Sequence, residues 1–155
     1  MQIEIGISES HRAEIAGGLK RLLADMYVLY IRIHGYHWNV TGPMFDSLHN
    51  MFMLHYTEIW NAVDLVAERI RSLGHMAPAT YAEFSKLTSI KEDTVVPAAK
   101  DMIIGAVHGH EAVIRTAREI FPLAENASDQ SSMDLITQRL QVHEKTAWML
   151  RSLLE

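Results

Sequence analysis

The sequence contains no cysteine. Disulfide frameworks, thiolate nucleophiles and thiolate metal sites are therefore excluded, and the nine His and nineteen Asp plus Glu remain as metal ligands. Glycine and proline are scarce, with 8 and 4 among 155 residues. That is about 5% and 3%, against the usual 7% and 5%, so turn-forming material is short and long helices are favoured over many short strands. No apolar run approaches the roughly 18 residues needed to span a bilayer, and the opening MQIEIGISES lacks the basic and apolar blocks of a secretory leader. A cytoplasmic protein without membrane contact is expected. Positive charge is not in excess either: the net charge of -5 opposes binding to nucleic acid through bulk electrostatics, which needs clustered Lys and Arg. With 48% hydrophobic residues, the chain fits one domain over residues 1–155.

The apolar residues are arranged in four stripes of helical period. Ile15, Leu19, Leu22, Met26, Leu29 and Ile33 step by four and three, which keeps them on one side of a helix. A second series runs Phe45, Leu48, Phe52, Tyr56, Ile59, Val63, Val66, Ile70 and Leu73, opened by Gly42-Pro43 and closed by Gly74. It predicts a helix about 43 Å long. The third series spans Val96 to Ile120, with Pro97 in the first turn and Pro122 near the stop. The fourth spans Met133 to Leu154, with Ser128-Asp129 as the N-cap region. Each narrow stripe can be buried only against the others, so the expected fold is an all-α four-helix bundle. Short links pair the first helix with the second and the third with the fourth. The link of roughly residues 75 to 93 is long enough to cross the bundle, which predicts an up-down-down-up order, with a short helix at Tyr81–Leu87 on the crossing.

Glu-x-x-His, the motif by which bundles hold di-iron centres within one chain, is absent. Metal-capable side chains are instead dense at the end of the first helix and along the second: His34, His37, His49, Asp64 and Glu68. Imidazoles with carboxylates suit Fe(II) or Zn(II). Asp64 and Glu68 lie one turn apart, either as a converging ligand pair or as an ordinary solvated face. At about 100° per residue His49, Met53, Asp64 and Glu68 fall in one sector beside the apolar stripe. His49 and Asp64 are 15 residues apart, about 22 Å along one helix, too far to share an ion. Two copies paired through this helix about a two-fold axis near residues 57 to 59 would set His49 of one opposite Glu68 of the other, giving two equivalent sites. Trp60 and Met51 could bury apolar surface in that contact.

The stretch His37-Trp-Asn-Val-Thr-Gly-Pro-Met-Phe-Asp-Ser-Leu-His49, then Asp64-Leu-Val-Ala-Glu-Arg-Ile-Arg-Ser-Leu-Gly74, closely resembles the signature of the Dps family of mini-ferritins, and so does the ending His143-Glu-Lys-Thr-Ala-Trp-Met-Leu-Arg-Ser. The resemblance implies a ferritin-like bundle and a hollow homo-dodecamer. Such a cage takes up Fe(II), oxidises it at inter-subunit ferroxidase centres with hydrogen peroxide or oxygen, and stores ferric mineral. It also implies His37 and His49 as imidazole ligands from one subunit and Asp64 and Glu68 as carboxylates from its partner, with Glu68 bridging. Met53 stands where the family has a further carboxylate. Two Fe(II) carry four positive charges against two from the remaining acids, so one sound iron position (His37, Asp64, Glu68) and a weaker second are expected, with zinc as a competitor and His34 as a candidate extra ligand. Glu125, Asp129 and Asp134 match the acidic surroundings of the family's iron pores, which focus cations; Asp129 and Asp134 equally suit a helix N-terminus. His110 and His143, inside apolar stripes, read as satisfied core residues. Residues 1 to 11 carry no Lys or Arg and the last residue, Glu155, follows the fourth helix directly, so DNA binding through the termini is not expected. The alternatives are a structural or zinc-binding or single-iron cage without efficient ferroxidase action, and a nucleoid-associated protein.

Overall fold

The computed structural model describes residues 2–155, which form α1 (Glu9–Asn39), α2 (Phe45–Ser72), α3 (Tyr81–Leu87), α4 (Ala99–Asn126) and α5 (Gln130–Arg151). Apart from Phe45 and Val96, which are exposed, the four predicted stripes lie on the packed faces of the four long helices, and Leu19, Leu22, Met26, Leu29, Phe52, Ile59, Ile70 and Ile120 are wholly removed from solvent. Each such side chain contributes about 1.5–3 kcal/mol by leaving water.

Cross-helix contacts fix the directions. Tyr30 meets Tyr56 and Trp60 while His37 meets His49, so α1 and α2 are antiparallel. Arg21 pairs with Glu119, Asp25 with Thr116 and Arg32 with the Gly105 carbonyl, so α4 also opposes α1. Glu111 pairs with Arg151 and Arg118 with Glu144, which sets α5 antiparallel to α4. Consequently α2 and α4 are parallel, the order is up-down-down-up, and residues 73–98 must travel the length of the bundle. Thr80 and Glu83 start α3 with a reciprocal capping box on that crossing. The short helix therefore forms where its sequence places it.

Two boundaries differ from the sequence expectation. The α4 helix begins at Ala99, leaving Pro97 outside the first turn, and it continues past Pro122 to Asn126. Proline removes one N–H from the ladder, but Ala124 is fully buried and Ala127 nearly so, and that packing carries the helix another turn. Gly74 ends α2 with a φ of +93°, a left-handed conformation that favours glycine. Ser128, between α4 and α5, holds a φ of +52° without that freedom.

A buried acid ties the crossover down. Asp25 is fully buried in α1 and accepts hydrogen bonds from the Thr88 hydroxyl (2.8 Å), the Ser89 N–H (2.6 Å) and hydroxyl, and the Thr116 hydroxyl (2.6 Å). Farther along, Tyr36 donates to Asp93 (2.5 Å) and Arg32 to the Lys91 carbonyl. Polar ties also join α2 to α5, through Glu58–Arg139 at 2.7 Å and Asp129–Arg69 at 2.5 Å. Among the described residues no helix is long and apolar enough to cross a membrane.

Candidate metal centre

The turn between α1 and α2 brings His37, in the last turn of α1, against His49, in the second turn of α2. The two rings stack with centroids 3.8 Å apart and planes 23° from parallel. His37 Nδ1 lies 2.7 Å from the His49 carbonyl oxygen, and His49 Nδ1 lies 2.8 Å from the His37 carbonyl oxygen. A carbonyl oxygen can only accept, so each Nδ1 carries the proton and donates it. Each Nε2 is left with a lone pair, and the backbone bond holds that tautomer and ring orientation as a metal ligand requires. Phe45 stacks on His49 at 5.1 Å and Tyr56 stands edge-on to His37 at 5.3 Å, so both imidazoles are braced by aromatic rings.

His34 lies one turn before His37, with its ring 6.3 Å from that of His37. It is packed between Trp38 (4.1 Å) and Tyr56 (4.2 Å), and burial, helped by His37, pushes its pKa below the ordinary histidine value. It is a neutral imidazole beside the pair rather than a third member of it.

Asp64 and Glu68 point outward from α2, and both are exposed. None of the ion pairs among the described residues uses either one, whereas Glu58, Asp93, Glu111, Glu119, Asp129 and Glu144 are all paired. Asp64 lines a groove of about 920 Å³ with Tyr27, Trp60 and Tyr81. Two large apolar side chains share this face of α2 and stay open to solvent, Trp60 at 52% and Met53 at 40%. Met51, by contrast, packs against the core. Because α2 is unbroken, His49 and Asp64 are separated by about 22 Å of helix. One chain thus keeps its two stacked imidazoles apart from this pair of carboxylates, and among its described residues no group of three or more His, Asp or Glu is placed to hold one ion.

The three acids matched to a pore fare differently. Glu125 and Asp134 are exposed, and Asp134 accepts from the Gln138 side chain at 2.8 Å. Glu68 and Asp134 line the same shallow hollow of about 430 Å³. Asp129 is 2% exposed: it caps α5 by accepting from the Ser132 N–H (3.1 Å) and hydroxyl (2.5 Å) and binds Arg69. These hydrogen bonds and the Arg69 charge hold its carboxyl below the usual range against the opposing pull of burial. Its charge is met within the chain by Arg69, and it serves as the cap of α5.

His110 and His143 are buried as expected but only half satisfied. Their Nδ1 atoms meet at 2.8 Å, while both Nε2 atoms, and Nδ1 of the nearby His55, have no hydrogen-bond partner. Burial pushes His143 down to about 3, His55 down to about 4, and His110 well below the ordinary value.

Comparison with known proteins places this geometry in a context. The family described as a ferritin-like domain matches residues 16–155. A DNA protection during starvation protein of Bacillus anthracis is 34% identical over 136 residues, covering 88% of this chain and 93% of that protein. A low temperature-induced protein of Nostoc sp. is 36% identical over 156 residues, covering 99% of this chain and 87% of that protein. Among solved structures, a Dps protein of Vibrio cholerae, described as a member of a broad superfamily of ferritin-like diiron-carboxylate proteins, superposes with a TM-score of 0.95 at 30% identity, covering 100% of this chain and 98% of that one. A Dps protein from Bacillus brevis superposes with a TM-score of 0.90 at 34% identity, covering 94% and 98%.

Proposed function

Because the chain belongs to the Dps family of ferritin-like proteins, we propose that it sequesters iron in a hollow homo-oligomeric cage, a dodecamer, oxidising Fe(II) at sites shared between two-fold-related subunits. The observation that carries this reading is the separation, along α2, of a pair of imidazoles from a pair of carboxylates. His37 and His49 present fixed Nε2 lone pairs at one end of α2. Asp64 and Glu68 stand unpaired toward the other end on the same face, flanked by exposed Trp60. A two-fold axis near residues 57 to 59 lays the imidazoles of one protomer against Asp64 and Glu68 of the partner subunit, and Trp60 and Met53 become buried in the contact.

Iron is the substrate. Its ligands are then two neutral imidazoles and two carboxylates, a set suited to Fe(II) and strengthened for Fe(III) by the acids. Two Fe(II) give one electron each to hydrogen peroxide, the O–O bond breaks, and with two waters the products are two FeOOH units and four protons. The protein supplies ligands, charge and a protected volume, and iron arrives past Asp134 and Glu125, whose exposed carboxylates attract cations. With Met53 in place of a carboxylate, the position held by His37, Asp64 and Glu68 is the sound one and the second binds weakly. His34 stands nearby as a reserve imidazole, and zinc competes for the same donors. Consuming Fe(II) and peroxide together would protect DNA in the cytoplasm.

Met53 also favours a second reading, in which the cage holds zinc or a single iron and oxidises slowly. Anaerobic Fe(II) titration followed by peroxide separates the two. Two fast-oxidised irons per site support the first reading, and one or none the second. Glu68→Gln should abolish the fast phase, and its persistence would move the chemistry elsewhere.

A further inference from the structure

The imidazole half-site has a donor that iron does not use. Met53 stands one turn beyond His49 on α2, on the same face, and its side chain is 40% exposed. It belongs neither to the buried core nor to the partly buried residues packed against it, so the fold of the chain does not need a methionine there. The two neighbouring imidazoles are oriented by their Nδ1 bonds to backbone carbonyls, which leaves both Nε2 atoms outside those bonds. The face of α2 around His49 therefore presents the stacked imidazole pair and, one turn on, the thioether of Met53.

That set is neutral, of borderline and soft character, and limited to three donors. A thioether is a poor ligand for Fe(II) and a good one for Cu(I), which is monovalent, requires no anionic ligand to balance a second charge, and accepts low coordination numbers. We propose that His37, His49 and Met53 of a single protomer bind cuprous ion, so that the same cage sequesters copper as well as iron. This rests on the reading that His37 and His49 are metal ligands, but it does not require Asp64 or Glu68 of the partner subunit. The two metals thereby divide the site. Iron takes the imidazoles together with the partner's acids, and copper takes the imidazoles together with the thioether.

The test is an anaerobic competition of the assembled protein against a chromophoric Cu(I) chelator, with Cu(I) as the only added metal and assembly confirmed by size. The wild-type protein should retain one Cu(I) per subunit, and X-ray absorption should show one sulfur neighbour. Met53→Leu, which keeps an apolar side chain of similar size, should lower the affinity on the order of tenfold or more. Glu68→Gln should keep Cu(I) while losing fast iron oxidation, and His49→Ala should lose Cu(I). If Met53→Leu keeps wild-type Cu(I) affinity, or no sulfur neighbour is seen, the thioether only covers the subunit contact and the proposal fails, with the iron reading untouched. If Fe(II) oxidation fails in the wild-type protein while Cu(I) is retained with a sulfur neighbour, the iron reading fails and this one stands.

Discussion

Acid should weaken this bundle through its interior. His55 on α2, His110 on α4 and His143 on α5 form an interior group in which the Arg139 charge acts on His143, and the Glu58 carboxylate that neutralises Arg139 is already bound to it at 2.7 Å. An added proton on any of the three rings therefore finds no acid, and the unpartnered nitrogens show that it finds no acceptor. Burial holds His143 at about 3 and His55 at about 4, while an unfolded histidine titrates near 6.5. The unfolded chain thus takes up protons that the folded one refuses. Stability is fully present above about pH 6.5 and drains as pH falls toward the folded values. Between pH 7.5 and pH 4.5 the loss is about 2.5 kcal/mol for each of these two residues, from 1.36 kcal/mol per unit of difference, and His110 adds to it. The double variant His110→Leu with His143→Leu removes both partners of the 2.8 Å contact together, which leaves no new orphan between them. Urea unfolding at a fixed protein concentration at both pH values should show the variant losing about 2.5 kcal/mol less than the wild type, or better. Equal losses would mean that the folded imidazoles accept protons freely, and the reasoning would be wrong.

Three further outcomes follow from particular residues. Asp25→Ala strands the Thr88, Ser89 and Thr116 donors and should cost about 3 kcal/mol in urea unfolding, with faster proteolysis of the crossover between residues 75 and 93. Ser128→Gly relieves a left-handed backbone at an exposed turn and should raise stability by about 0.5 kcal/mol, read as a small rise in Tm. Met53→Asp restores a hard anionic donor and should strengthen Fe(II) binding and speed its oxidation, while unchanged stoichiometry and rate would show that the methionine is harmless to iron.

The four long helices were legible because each buries one stripe against the others, a relation that the spacing of apolar residues records directly. The crossover helix was legible from its length and place, and the capping box at Thr80 and Glu83 supplies its start. Pro122 misled because proline forbids one hydrogen bond, not a helix, and the burial of Ala124 beyond it is invisible along the chain. The separation of His49 from Asp64 follows from the 15-residue spacing on one unbroken helix. What fixes the imidazoles does not, because the partners of both Nδ1 atoms are backbone carbonyls and any residue type supplies one. Asp25, Asp129 and the His110–His143 pair share a common difficulty: each is defined by a neighbour on another helix. For Asp25 the signal in the sequence is an acid set amid Leu22, Leu23, Ala24 and Met26.

The central claim, that two subunits build each metal site, is tested most directly by complementation. Subunits carrying His37→Ala and His49→Ala should be inactive alone, as should subunits carrying Asp64→Ala and Glu68→Ala. Dissociated, mixed in equal amounts and reassembled, half of the two-fold pairs would be mixed, each with one intact site, so fast Fe(II) oxidation should return to about a quarter of the wild-type rate. Activity that stays absent in mixed cages of verified composition would contradict the account.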